Sequence, residues 1–384
     1  MTDNVPSRYP TLTLDTFCSG SGRIPYLDGF RALSVLMVMF SHYRFAIPGH
    51  MGVTCFFLIS GFLITHLLLL EAKHHPAHTI DVGAFYLRRA FRILPAMLAY
   101  IGFTVALYAA VGLATPWAEI WPSLVFFQNY NIILNFPFTL CLPLQMLWSL
   151  SVEEHYYLLA PWGFLWAVHT QRWRTLMWGI LGIMGIGLLW RFYALLKLHA
   201  GFEYLFWATE CRIDSILFGV LAAIGLHQAY QNPQRIYAKA FRWFTQSPWL
   251  FWVAIGILAF VWQENNVLVY NILQFPAASV AVAIMLLGAL FTPGNTWFKA
   301  LLDHWVMRSL GLISYSLYLW HSLVYKWTAQ WYESELFFPP FGTAVIAIVL
   351  SVGVATLSYW WVEKPALKLR KALVETKAKT KTQP

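Results

Sequence analysis

The chain has 384 residues and a formal charge of +9, with 59% hydrophobic and only 11% charged residues. Soluble domains carry about 25% charged residues, so this balance excludes a soluble globular protein and predicts an all-α integral membrane protein. It also excludes nucleic acid as the meaning of the positive charge, because the lysines and arginines sit in short connections and at the C-terminal end, where membrane topology is set.

Residues 1–26 are mostly polar and lack the apolar run of a cleavable signal, so they read as a cytoplasmic N-terminal segment. Cys18 follows LDTF, a polar setting that does not suit a lipid-modified cysteine, and Cys55, Cys141 and Cys211 are scattered without any C-x-x-C. Stretches of about 20 apolar residues predict ten transmembrane helices. They fall at 27–46, 52–71, 93–113, 149–168, 175–196, 212–230, 248–263, 267–291, 309–331 and 342–362.

The connections alternate in charge. One set holds Lys73, Arg88, Arg89 and Arg92, then Arg172 and Arg174, then Arg235, Lys239 and Arg242, then Lys299 and Arg308. The opposite set is nearly free of Lys and Arg, and 114–150 has none. By the positive-inside rule both termini are expected in the cytoplasm. The domain plan is then a membrane domain over 27–362 followed by a basic cytoplasmic tail over 363–384, with no internal repeat.

The first predicted helix, LDGFRALSVLMVMFSHY, carries Arg31 and His42. Eleven positions at about 100° each return both side chains to nearly one face, about 16 Å apart along the axis. Ionisable groups are expensive in hydrocarbon and mark a site or a pathway; a packing bond to a neighbouring helix is the plainer alternative. A neutral imidazole at that depth can accept a proton from a hydroxyl.

Next comes FYLRRAFRILP, where Arg89 and Arg92 are three apart on one helical face at the predicted inner surface. Such a pair can grip phosphates bidentately, or can serve topology and lipid headgroups. WSLSVEEHYYL opens the fourth helix at its outer end. There Ser151, Glu153 and Tyr156 are expected to share a face, with Glu153 orienting His42 or contacting an acceptor. Arg212 and Asp214 read as a structural ion pair at the outer mouth of the sixth helix, His321 lies midway along the ninth, and Glu363 closes the tenth. The KHHPAH run lacks the helical spacing of a metal site. Trp117, Trp121, Phe126, Phe127, Tyr130, Phe136 and Phe138 fill the outer stretch, as an interfacial belt or a stacking surface for a sugar. No P-loop, dinucleotide fingerprint or G-x-S-x-G elbow occurs, so neither ATP nor serine-hydrolase chemistry is indicated.

In this order the motifs resemble membrane-bound acyltransferase family 3, along essentially the whole chain. Arg31 and His42 match its Arg–ten residues–His pattern, and FFLISGFLI is similar to its second-helix element with Ser60 and Gly61. RRAFRILP matches its arginine motif, and WSLSVEEHYYL its Ser-x-Glu-x-x-Tyr element at Ser151, Glu153 and Tyr156. SYSLYLWH and VEKP resemble its last two stretches. The resemblance implies an O-acyltransferase of the inner membrane with no permanently bound cofactor. It would move an acyl group, usually acetyl, from cytoplasmic acyl-coenzyme A to a hydroxyl of an extracytoplasmic or lipid-linked carbohydrate.

On that reading His42 is general base or transient acyl carrier, Glu153 orients it, and Arg89 and Arg92 hold the donor's phosphates. Arg31 guides the donor or neutralises an internal carboxylate, while Ser151, Tyr156 and His321 contact substrate. The competing reading is a transporter with Arg31, His42 and Glu153 as a proton or solute relay. A glycosyltransferase is a weaker third, for want of an acidic metal-binding pair in a long outer loop.

Overall fold

The computed structural model describes residues 11–20, 24–43, 45–135, 142–263, 266–333 and 340–381, and among these every regular element is helical. A short α1 (Leu14–Ser19) precedes α2 (Leu27–His42), α3 (Gly49–His74) and α4 (Val82–Ala110). Three short helices follow, α5 (Trp117–Leu124), α6 (Gln128–Asn135) and α7 (Leu142–Gln145), then α8 (Trp148–Thr170), α9 (Trp173–Leu196), α10 (Phe202–Trp207) and α11 (Thr209–Gln231). The remainder is α12 (Ile236–Thr245), α13 (Leu250–Gln263), α14 (Gln274–Phe291), α15 (Thr296–Asp303), α16 (Trp305–Leu312), α17 (Ser314–Glu333), α18 (Pro340–Ser358) and α19 (Lys364–Lys381). Wider π turns, Val269–Leu273 and Tyr359–Glu363, lead into α14 and α19.

Every stretch predicted to span overlaps helix, but not one for one: 309–331 straddles α16 and α17, and 27–46 and 248–263 fall on helices of 16 and 14 residues. Five helical stretches are long and apolar enough to cross a bilayer: Gly49–His74, Val82–Ala110, Trp173–Leu196, Val269–Phe291 and Gly342–Leu373. A sixth results if α12 and α13, bent by 88°, count as one broken span. α2, α8 and α11 do not reach that standard: α2 has only 16 residues, and charged side chains punctuate the apolar runs of α8 (Glu153, Glu154) and α11 (Glu210, Arg212, Asp214).

Two boundaries differ from expectation. The stretch read as an inner connection, FYLRRAFRILP, lies inside α4, which begins at Val82 because the Asp81 carboxylate accepts from Ala84 N (2.9 Å) and caps it. The outer stretch 114–150 contains α5, α6 and α7. Within it Trp117 and Trp121 are exposed, whereas Phe136 and Phe138 lie outside the described residues.

α3 is the hub: 67% of its apolar window is buried, against 17% for the peripheral α9. Its contact with α11 is the most extensive between any two helices, and its contact with α2 is next. Glycines set how close these helices come. A Cβ at Gly61 would meet the Ile216 carbonyl oxygen at 2.0 Å, and one at Gly219 would meet Leu58 O at 2.0 Å. This reciprocal pair lets the α3 and α11 backbones touch, as small residues do between membrane helices. Gly52 does the same for α3 against α2, where a Cβ would lie 2.4 Å from Ser34 O. Ser60 and Arg212 are carried inward by those crossings.

Candidate active site

One cavity of about 100 Å³ is bounded by α2, α3, α4, α8 and α17 and lined by Arg31, Ser60, Arg89, Arg92, Glu153 and Tyr157, among others. Arg31, Arg89 and Arg92 lie within electrostatic reach of one another. Their carboxylate partners are unequally shared. Arg92 Nη1 stands 3.0 Å from Glu363 Oε2, and Glu363 also accepts from Ser316 Oγ at 2.5 Å. The π turn Tyr359–Glu363 is what turns this carboxylate inward, where it is 2% exposed. Arg88 is held by Glu71 at 2.5 Å. Among the described residues Arg31 has one ion pair, a long one to Asp28 at 3.8 Å, and Arg89 lies over the Tyr157 ring at 5.8 Å with its buried Nε without a hydrogen-bond partner.

Glu153 sits in this same cavity. It accepts from Ser60 Oγ (3.0 Å) and Tyr157 OH (2.8 Å), within electrostatic reach of Arg89 and Arg31. A phosphate-rich ligand suits such a cluster, since guanidiniums fork onto phosphoryl oxygens bidentately.

A second cavity, about 390 Å³, is lined by Ser41, His42, His50, Gln145, Ser322 and Tyr325, together with an aromatic wall that includes Trp148, Phe206 and Trp207. Val53 and Tyr318 line both cavities and form the wall between them. Tyr318 is fixed there: its hydroxyl accepts from Ser149 Oγ at 2.8 Å and donates to Met146 O at 3.2 Å.

The His42 imidazole is held by a contact of 2.8 Å between Nδ1 and Val38 O. A carbonyl only accepts, so Nδ1 carries the proton and Nε2 keeps its lone pair. Its ring centroid is 5.1 Å from that of His321, which is anchored likewise to Leu317 O at 3.2 Å. The His321 Nε2 is buried and has no hydrogen-bond partner among the described residues. Acceptance of a proton from a hydroxyl at His42 is the chemistry this arrangement permits.

The structure therefore brings Arg31, Arg89, Arg92 and Glu153 together in one cavity, and His42 with His321 behind it in the other. Glu153 does not face His42, contrary to expectation. Nor do Ser151, Glu153 and Tyr156 share a face, because positions 151 and 153 are about 200° apart on a helix. The face of α8 turned to the arginine cavity is Ser149, Glu153 and Tyr157, spaced by four. Ser151 Oγ instead bonds Leu147 O (3.3 Å) and accepts from Gln128 N (3.2 Å), tying α6 to α8, and Tyr156 is buried in the core.

The presumed Arg212–Asp214 pair also separates, for the same angular reason. Asp214 pairs with Arg191 at 2.6 Å, while Arg212 stacks on Phe275 at 3.7 Å and donates to Thr54 Oγ1 at 3.1 Å. Sequence reasoning missed Ser60 as a ligand of Glu153, and missed Val53, His50 and Tyr318 altogether. The run Ser314, Tyr318, Ser322 and Tyr325 on α17, spaced four, four and three, was the available signal.

A helical membrane protein with a guanidinium-lined cavity and an imidazole-lined cavity on either side of a tyrosine–valine wall is the class these features define. The chain belongs to the acyltransferase family: the model described as an acyltransferase domain matches residues 24–360. That places it among enzymes that transfer acyl groups.

It is similar to the O-acetyltransferase OatA of Staphylococcus aureus (strain NCTC 8325 / PS 47), 26% identical over 372 residues that cover 90% of this chain and 57% of that protein. YrhL of Bacillus subtilis (strain 168), provisionally named a peptidoglycan O-acetyltransferase, is 26% identical over 356 residues covering 89% of this chain and 54% of its own. The chain thus spans little more than half the length of these curated relatives. No solved structure matches it.

Proposed function

We propose that the chain is a multi-pass O-acyltransferase of the cytoplasmic membrane that carries an acetyl group from acetyl-coenzyme A to a carbohydrate hydroxyl on the far side. The observation that carries this reading is the tandem of cavities along α2, with Arg31, Arg89 and Arg92 in one, His42 in the other, and Val53 and Tyr318 between them. The donor's phosphates lie on the arginines, and its pantetheine arm passes the wall so that the thioester reaches His42.

The Nε2 lone pair takes the acceptor's hydroxyl proton as that oxygen attacks the thioester carbonyl. The C–O bond forms, the C–S bond breaks, and the proton returns to the coenzyme A thiolate. A transient acyl-imidazole at His42 is the other form of the same handover. Ten spans over 27–362 with both termini cytoplasmic put the arginines on the donor's side, as the charge alternation supports.

The names of OatA and YrhL point to surface glycans, peptidoglycan among them, as the acceptor class. A relay transporter is not favoured, since Glu153 is engaged by Ser60 and Tyr157 on the arginine side and does not continue from His42.

The test uses purified full chain in nanodiscs with isotope-labelled acetyl-coenzyme A, scoring release or transfer of label. His42→Ala should abolish turnover while protein level in the membrane is unchanged. Full activity in that variant would defeat the assignment.

A further inference from the structure

The tail helix α19 begins immediately after the inward-turned Glu363, and its Arg370 lies ten residues beyond residue 360, where the family match ends. Glu363 and Arg370 are seven positions apart, about two helical turns, so they share a face and stand roughly 10 Å apart along the axis. α19 packs along α4, and the Glu363–Arg92 pair at 3.0 Å fixes its root there. That geometry carries Arg370 into electrostatic reach of Arg88, Arg89 and Arg92.

Arg370 therefore joins the three guanidiniums of α4, two of which line the arginine cavity, and their counter-charges do not match them one for one. Arg88 is taken by Glu71 and Arg92 by Glu363. Arg89 feels Glu153 and Glu154, but its buried Nε has no hydrogen-bond partner among the described residues. Arg370 is half-buried, among the described residues no carboxylate forms an ion pair with it, and Arg89, Arg92 and Arg88 act on it. Like charges held together in a partly desolvated place are unfavourable unless an anion joins them.

We infer that Arg370 and Arg89 form a phosphoryl clamp, and that the tail helix is thereby part of the donor site. The ligand class is a phosphate ester or anhydride, supplied by the coenzyme A portion of the donor, so the inference rests on the donor reading given above. Arginine suits the task because its planar fork binds two phosphoryl oxygens at once, which a lysine cannot reproduce.

The experiment measures equilibrium binding of coenzyme A to the full chain in phosphatidylcholine nanodiscs. Arg370→Ala should weaken binding by at least tenfold, and Arg370→Lys should recover part of the loss. Lys368→Ala, an exposed cation on the same helix, should stay within twofold of wild type. Equal melting temperatures, or the behaviour of Arg370→Lys if Arg370→Ala is poorly folded, separate lost contact from lost structure. Wild-type affinity in a folded Arg370→Ala protein would overturn the clamp. Loss of retained phosphatidylglycerol with coenzyme A binding unchanged would assign Arg370 to a lipid headgroup and overturn it equally. A wild-type chain that does not bind coenzyme A at all would instead bring down the donor reading itself.

Discussion

At the scale of single residues, the arginines of one cavity divide by what else they hold. Arg92 has two duties: it lines the cavity and neutralises Glu363, whose side chain is 1% exposed. Arg89 lines the cavity without an ion pair of hydrogen-bonding length among the described residues. Replacing Arg92 by Ala leaves a buried carboxylate with only Ser316 Oγ at 2.5 Å and Ser316's own neighbours for company. Stranding one partner of a buried ion pair costs about 3–5 kcal/mol, less a discount here for the part-exposed guanidinium. We expect Arg89→Ala to weaken acetyl-coenzyme A binding at least tenfold with the melting temperature unchanged, and Arg92→Ala to lower both. Calorimetric titration paired with thermal unfolding reads the two effects apart; equal destabilisation by both variants would contradict this division.

At the scale of helices, the α3–α11 crossing is the joint on which both cavities depend. Gly61 and Gly219 each meet backbone oxygen at 2.0 Å once a Cβ is added, so no side-chain adjustment can absorb a methyl group there. Overpacking of this kind costs typically about 1–3 kcal/mol, and here it must move a helix. Gly61→Ala and Gly219→Ala should each lower the melting temperature of the purified protein, whereas Gly225→Ala on the same helix, with open space around it, should not. A Gly61→Ala protein as stable as wild type would show that the helices do not touch as described.

This is also the scale at which sequence reading stopped. The positions of the long helices, the shared face of Arg31 and His42, and the spacing of Arg89 and Arg92 follow from periodicity and hydropathy within one helix. Which partner each carboxylate meets does not. Glu153 goes to Ser60, Asp214 to Arg191 and Glu363 to Arg92 across three different helix pairs, and nothing within one helix encodes its neighbour's rotation. The face of α8 could have been read from the spacing of Ser149, Glu153 and Tyr157; the motif-based grouping of Ser151, Glu153 and Tyr156 ignored the 100° step.

At the scale of the whole molecule, the proposed orientation makes an accessibility prediction. Ala77 and Ala114 are both exposed, in the connections after α3 and after α4. Cys18, Cys55 and Cys211 are buried, so they contribute little background to thiol labelling, and the test is made with Cys141 replaced by alanine. With a membrane-impermeant maleimide on intact cells, Ala114→Cys should label and Ala77→Cys should label only after the cells are opened. The reverse pattern would invert the molecule and place the arginine cavity outside.

Arg31 and His42 share one uninterrupted helix, Leu27–His42, and that has a mechanical meaning. A hydrogen-bonded helix scarcely stretches along its axis, so the interval between them, about 16 Å at 1.5 Å per residue, behaves as a ruler set by covalent geometry. Neighbouring helices can tilt, and pockets can swell or shrink, without altering that gauge length. Reach along the conduit is thus a property of the backbone of α2, while fit at either end is left to side chains that can vary independently.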